Sequence, residues 1–145
     1  QGKLKAVITQ NIDGLHQKAG SRKVLELHGS VLRNHCTRCG QFYGVERIVN
    51  SRGVPRCSCG GIIKPDVVLY EESLDEDVMA EAIHYIRQAD MLIIGGTSLV
   101  VYPAAGLVQY YRGNKLAVIN KGGAGSGLGA AVTVDAPIGQ VMAQL

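Results

Sequence analysis

The chain has 145 residues, 46% of them hydrophobic, with four cysteines, no tryptophan and a formal net charge of +3. That length suffices for one sizeable core plus a small satellite, and the mild positive charge gathers into no lysine or arginine stripe, so nucleic-acid binding is not implied. No apolar run is long enough to span a bilayer and no secretory leader opens the sequence, so a soluble, cytoplasmic protein without a membrane partner is expected.

Taken in chain order, Lys5-Ala6-Val7-Ile8-Thr9 predicts a short buried strand that turns polar at Gln10-Asn11-Ile12-Asp13-Gly14. The stretch from Val24 to Ser30 repeats this form, a strand running out into His28 and Gly29. Of the four histidines, His84 falls in an amphipathic helical segment and His35 stands beside a cysteine. His28, at a strand end, is the best candidate for a general base near neutral pH. The plainer reading, a structural histidine, stands beside it.

Residues 33–64 carry all the cysteines: Cys36-Thr37-Arg38-Cys39, then Cys57-Ser58-Cys59. Two close thiol pairs separated by a short loop predict a tetrahedral Zn2+ site ligated by Cys36, Cys39, Cys57 and Cys59. The second pair is one residue tighter than the common spacing. Two disulfides or four unligated core cysteines are the alternatives, and His35 is a bystander beside a full set of thiolates. A closed four-thiolate site leaves no position for substrate, so its role is structural. It also favours a reducing compartment.

Pro65 to Tyr70 is extended and β-branched, and Ser73 is suited to cap a helix from Asp75 to Gln88, where Val78, Ala82, Ile83 and Ile86 recur at helical spacing. Met91-Leu92-Ile93-Ile94 predicts a strand covered on both faces, as in a parallel sheet. It ends in Gly95-Gly96-Thr97-Ser98, and Pro103 then stands in the first turn of a helix running to about Tyr111. Lys115 to Asn120 and Ala131 to Asp135 are further strands, Gly122 to Gly129 reads as a mobile loop, and Ile138 to Leu145 as a closing helix.

Strands alternating with helices predict an α/β fold with a Rossmann-like parallel sheet, whose ligands bind beyond the carboxyl ends of the strands. The expected organisation is a nucleotide-binding domain of residues 1–32 and 65–145, with the zinc-binding module, residues 33–64, inserted. At the strand ends, Gly96, Thr97 and Ser98 suit either a ribose or phosphate or an ordinary tight turn. Asn120 suits either a sugar hydroxyl or a turn.

Thr9 to His16, Leu27-His28-Gly29-Ser30, the cysteine pairs, Lys64 to Val68, Gly96 to Ala104 and Val118-Ile119-Asn120 occur in one order from end to end. This ordered set closely resembles the sirtuins, the NAD-dependent protein lysine deacylases, and bacterial members in particular. The resemblance implies that His28 is the general base, with Asn11 also in the catalytic pocket. Gln10, Asn11, Ile12 and Asp13 would line the nicotinamide and ribose pocket, and Gly96, Thr97 and Ser98 would hold the adenosine-side ribose and phosphate. Asn120, Lys121 and Gly122 would hold the adenine ribose, with the backbone near Ala136 against the adenine. Val68 would pair through its backbone with an acetylated protein or peptide substrate, and Tyr70 would border that groove. The implied reaction consumes NAD as co-substrate and turns acetyl-lysine into free lysine, nicotinamide and O-acetyl-ADP-ribose.

Two departures from the family pattern shape the expectations. The resemblance begins after the family's opening strand, its Gly-Ala-Gly pyrophosphate loop and its cofactor loop, so the sheet is expected to be incomplete, its central first strand missing. An N-terminal segment is then a partner, and the isolated chain has weak or no activity. Glu71 stands where the family commonly has glycine. Two rival readings are a non-catalytic, zinc-stabilised peptide-binding module and a protein ADP-ribosyltransferase.

Overall fold

A computed structural model describes residues 2–98, 100–122 and 127–144. They form two compact units, one up to Met79 and one from Ala80 onward. Of the glycine-rich run expected as a mobile loop, residues 123–126 lie outside the described residues, as does residue 99.

In the first unit, β1 (Val7–Thr9) and β2 (Val24–Glu26) pair in parallel, Ile8 opposite Leu25, and the connection between them carries the one-turn helix α1 (Leu15–Lys18). A second, antiparallel sheet has β3 (Gly29–Cys36) at its centre, between β4 (Phe42–Gly44) and β5 (Ile63–Val67). A short helix, α2 (Val45–Val49), follows β4.

The expected single strand from Val24 to Ser30 is therefore two strands in different sheets. Leu27 still donates its amide to the Thr9 carbonyl at 2.9 Å, but Gly29, at φ +74°, redirects the chain into β3. A Cβ at position 29 would collide with the carbonyl oxygen of Asp66, across the β3–β5 pair. Only glycine satisfies both constraints. His28 consequently occupies the joint between two strands.

The boundary between the units falls within α3 (Glu76–Gln88). Its cap is Asp75, whose Oδ1 accepts the amides of Asp77 at 2.9 Å and Val78 at 3.0 Å, so the expected cap at Ser73 is displaced by two residues. Ala82 and Ile86 form the buried stripe of this helix, while His84 faces outward, as its position predicts.

The second unit contains a parallel sheet of β6 (Leu92–Gly95), β7 (Leu116–Ile119) and β8 (Val132–Val134), in the order β6-β7-β8, with α4 (Ile138–Met142) after it. All four residues of the central β7 are buried. Ile94, Leu116 and Val118 make the core cluster, with Leu92, Val108, Tyr111 and Ala130 packed against it. The expectation that β6 is covered on both faces is met on one: Ile94 is buried and Ile93 is exposed among the described residues. The helix expected after Pro103 is a 3₁₀ helix, Ala104–Tyr110, with Gly106 lowering its preference for the longer α form. No helix among the described residues is long and apolar enough to cross a membrane.

Candidate metal centre and strand-end site

The four sulfurs converge. Cys36, Cys39, Cys57 and Cys59 place their Sγ atoms within 4.8 Å of one another, with Cys36–Cys59 and Cys39–Cys59 at 3.5 Å and Cys39–Cys57 at 3.6 Å. A regular tetrahedron with metal–sulfur arms of about 2.3 Å has edges of about 3.8 Å, so the spacing fits one zinc ion. All four are free thiols, which sets aside the disulfide alternative. Cys36 comes from the end of β3, Cys39 from the turn after it, and Cys57 and Cys59 from the loop before β5. Gly61 keeps this loop close, since a Cβ there would press on the Cys36 sulfur and the Arg38 Cβ. Cys36, Cys57 and Ile63 form the local core, against which Tyr43, Ile48 and Cys59 pack.

Hydrogen bonds distribute negative charge unequally over this cluster. The Tyr43 hydroxyl donates to the Cys57 sulfur at 3.0 Å and, with the Cys59 amide, brings that thiol down to about 5. The Cys39 amide lowers Cys36, helped by Arg38. At Cys59 the Gly61 amide pulls downward, but the sulfurs of Cys39, Cys36 and Cys57 together outweigh it and push the thiol up to about 12. Charge already sits on part of the cluster, and a cation supplies what the remainder needs to ionise. His35 Nδ1 meets Asp66 Oδ1 at 2.7 Å.

The strand ends of the first unit carry the other candidate residues. His28 Nδ1 lies 3.0 Å from the Gln10 carbonyl oxygen. A carbonyl can only accept, so Nδ1 carries the proton and the neutral ring keeps its free lone pair on Nε2. The Gln10–Asp13 segment is pinned by backbone and hydroxyl bonds: the Asn11 amide donates to Thr9 Oγ1 at 3.1 Å, and the Val31 amide to the Ile12 carbonyl at 3.0 Å. Asp13 Oδ1 accepts the Leu15 amide at 2.9 Å, closing the turn into α1. Asn11 and Asp13 are exposed, whereas Gln10, Ile12 and His28 are half-buried.

Val68 continues beyond β5 and gives its amide to the His28 carbonyl at 3.1 Å, so the expected substrate strand and the expected base share a hydrogen bond. Tyr70 is fully exposed. Glu71 beside it has φ +71°, the one positive φ recorded among the described non-glycine residues. That conformation is what a glycine in its place would adopt without strain. Glu72 fastens the turn: its Oε2 accepts the Leu69 amide at 2.9 Å and lies 3.3 Å from Lys64 Nζ. The Leu69 amide first, and Lys64 with it, holds the Glu72 carboxyl below the usual carboxylate range.

In the second unit, Gly96 has φ +64° and its would-be Cβ meets nothing nearer than Ile138 Cγ2 at 4.0 Å, while its own amide donates to the Ile119 carbonyl at 3.3 Å. Asn120 spans the rim of two adjacent parallel strands, its Nδ2 donating to the Thr97 carbonyl at 2.8 Å. This commits the Asn120 amide nitrogen and leaves Oδ1 to accept from a hydroxyl. Lys121 and Gly122 follow it, and the Gly122 amide donates to Asp135 Oδ1 at 2.8 Å, next to Ala136. Asp135 and Tyr43 were not among the sequence-based candidates. Neither sits at a motif spacing, and each acts on a group distant in sequence.

Residues 1–103 match the model of the Sir2 family. An NAD-dependent protein deacetylase of Clostridium perfringens is 59% identical over 99% of this chain and 60% of its own length, and one of Clostridium acetobutylicum is 54% identical over 98% and 59%. The chain thus spans about 60% of the length of these curated relatives. Among solved structures, Sir2 with a p53 peptide and NAD+ superposes with a TM-score of 0.87 at 40% identity, covering 97% of this chain and 61% of that one. Sir2 with an inhibitor, 2'-O-acetyl-ADP-ribose and a deacetylated p53 peptide gives a TM-score of 0.88 at 40% identity, covering 97% and 63%. With a family model matching well over half of its residues and a sirtuin fold in its solved neighbours, the chain belongs to the Sir2 family.

Proposed function

We propose that this chain is the larger part of a cytoplasmic NAD-dependent protein lysine deacetylase. The observation that carries the reading is the bond from His28 Nδ1 to the Gln10 carbonyl at 3.0 Å, which leaves Nε2 as the ring nitrogen able to accept a proton. Bound NAD supplies an electrophilic ribose carbon and a nicotinamide leaving group. His28 takes a proton from a ribose hydroxyl, and Asn11 and Asp13, both exposed in the segment that follows the Gln10 carbonyl, hold the carboxamide and sugar. Gln10 and Ile12 fix the shape of this pocket. Gly96, Thr97 and Ser98 bind the adenosine-side ribose and phosphate through the turn, and Asn120, Lys121, Gly122 and Ala136 bind the adenosine end.

Val68 and Tyr70 receive the acetylated peptide as an added strand, a mode in which main-chain bonds give affinity. Zinc holds residues 33–64 as a module inserted in the nucleotide-binding domain formed by residues 1–32 and 65–145. The cytoplasmic placement rests on four unpaired thiols gathered for a metal.

The test is turnover of an acetylated peptide with NAD, read by mass spectrometry, for the chain alone and for a chimaera in which the Clostridium perfringens relative supplies the remaining length. The chimaera should yield nicotinamide and O-acetyl-ADP-ribose, the chain alone little or none, and His28→Ala should cut the chimaera's rate by roughly 10²- to 10⁴-fold. An inert chimaera beside an active parent, or an ADP-ribosylated protein in place of free lysine, defeats the reading.

A further inference from the structure

The sulfurs of the two cysteine pairs are served by different sets of donors. In the first pair the Arg38 and Cys39 amides both address the Cys36 sulfur, the Arg38 amide at 3.4 Å, and the next amide, that of Gly40, closes onto the Cys36 carbonyl at 3.0 Å. The second pair lacks one intervening residue. There the Cys59 amide addresses the Cys57 sulfur, but the following amide, that of Gly60, is already committed to the Cys57 carbonyl at 2.9 Å. Shortening the pair has removed one amide from the surroundings of this sulfur.

Cys57 cannot make up the difference from solvent, because it is 6% exposed, while Cys39 lies open. A buried anionic ligand atom needs donors, and groups that donate to metal ligands orient them and tune their basicity. We propose that Tyr43 is a positioning residue of the metal centre, its hydroxyl at 3.0 Å from Cys57 Sγ replacing the backbone donor that the shortened cysteine pair has lost. Its place is set by the antiparallel register of β4 on β3, which puts Tyr43 opposite Asn34, and by packing against Cys36, Cys57 and Ile63. A thiolate has no proton to give, so the phenol is the donor. The Ser58 hydroxyl, at 3.8 Å and on an exposed residue, is a poor substitute.

The experiment needs no deacetylase activity. The purified chain is loaded with zinc, and its affinity is measured by competition with a chromophoric chelator. It is then loaded with cobalt(II), and the sulfur-to-metal charge-transfer band is recorded. Tyr43→Phe should weaken zinc binding about tenfold and move the band to lower energy, because the thiolate holds its lone pair less tightly without a donor. Inserting a glycine between Ser58 and Cys59 should restore affinity in the Tyr43→Phe background.

Unchanged affinity, or weakened affinity with an unmoved band, overturns the proposal; the second result would reduce Tyr43 to a packing role. Should Tyr43→Phe fail to fold, 3-fluorotyrosine placed at position 43 keeps the shape and strengthens the donor. The band must then move to higher energy, and a stationary band is equally fatal.

Discussion

In the cysteine module the functional atoms touch one another, four sulfurs within 4.8 Å. At the rims of the parallel strands they are instead tied singly to the backbone: His28 to the Gln10 carbonyl, Asn120 to the Thr97 carbonyl, and Asp135 to the Gly122 amide. The first arrangement concentrates like charge and depends on a cation for its cohesion. The second spreads its polar groups over local hydrogen bonds that hold whether or not a ligand is bound. Removal of what binds at each place should therefore have opposite consequences.

The largest effect that sharpens this contrast is expected from stripping zinc. Chelation should cost the module about 5 kcal/mol or more, and hydrogen exchange should show protection lost across β3, β4 and β5 while β6–β8 keep theirs. Equal loss in both regions would break the comparison. A smaller effect is expected at the rim. Asn120→Ala removes one hydrogen bond of 2.8 Å to a backbone carbonyl and should lower stability by about 1 kcal/mol, read from the midpoint of urea unfolding. A change several times larger would mean that the rim, too, is held by a network that fails as a whole.

The smallest effect concerns Glu72, whose carboxyl is depressed first by the Leu69 amide and then by Lys64. A carboxylate lowered on folding contributes stability above its unfolded value, about 4.3, and loses that contribution as pH falls through the folded value. Protection of the Leu69 amide, taken relative to its intrinsic exchange rate at each pH, should thus be high at neutral pH and fall only below the ordinary carboxylate range. Glu72→Gln should abolish this pH dependence.

What could be read from the sequence follows the same division. Cysteine spacing announced the metal centre, because chelation by one ion is a local geometric demand. Apolar runs announced β1, β6, β7 and β8, because burial imposes composition on short segments. That a second strand begins at Gly29 was not legible in the run from Val24 to Ser30, since the collision that requires Gly29 involves Asp66, far along the chain. The helix cap moved from Ser73 to Asp75 because both residues suit the role chemically and only the backbone path decides between them. Tyr43 left no signal, since its partner Cys57 is distant in sequence and no spacing rule ties a phenol to a thiol.

One strand joins the two regions within the first unit. β3 starts at Gly29, immediately after His28, and its eight residues finish at the metal ligand Cys36, a span of roughly 23 Å. Loss of the ion frees the Cys36 end of this tether, whose other end adjoins His28. An agent that extracts the metal would then loosen a strand that runs to His28 without ever touching that residue.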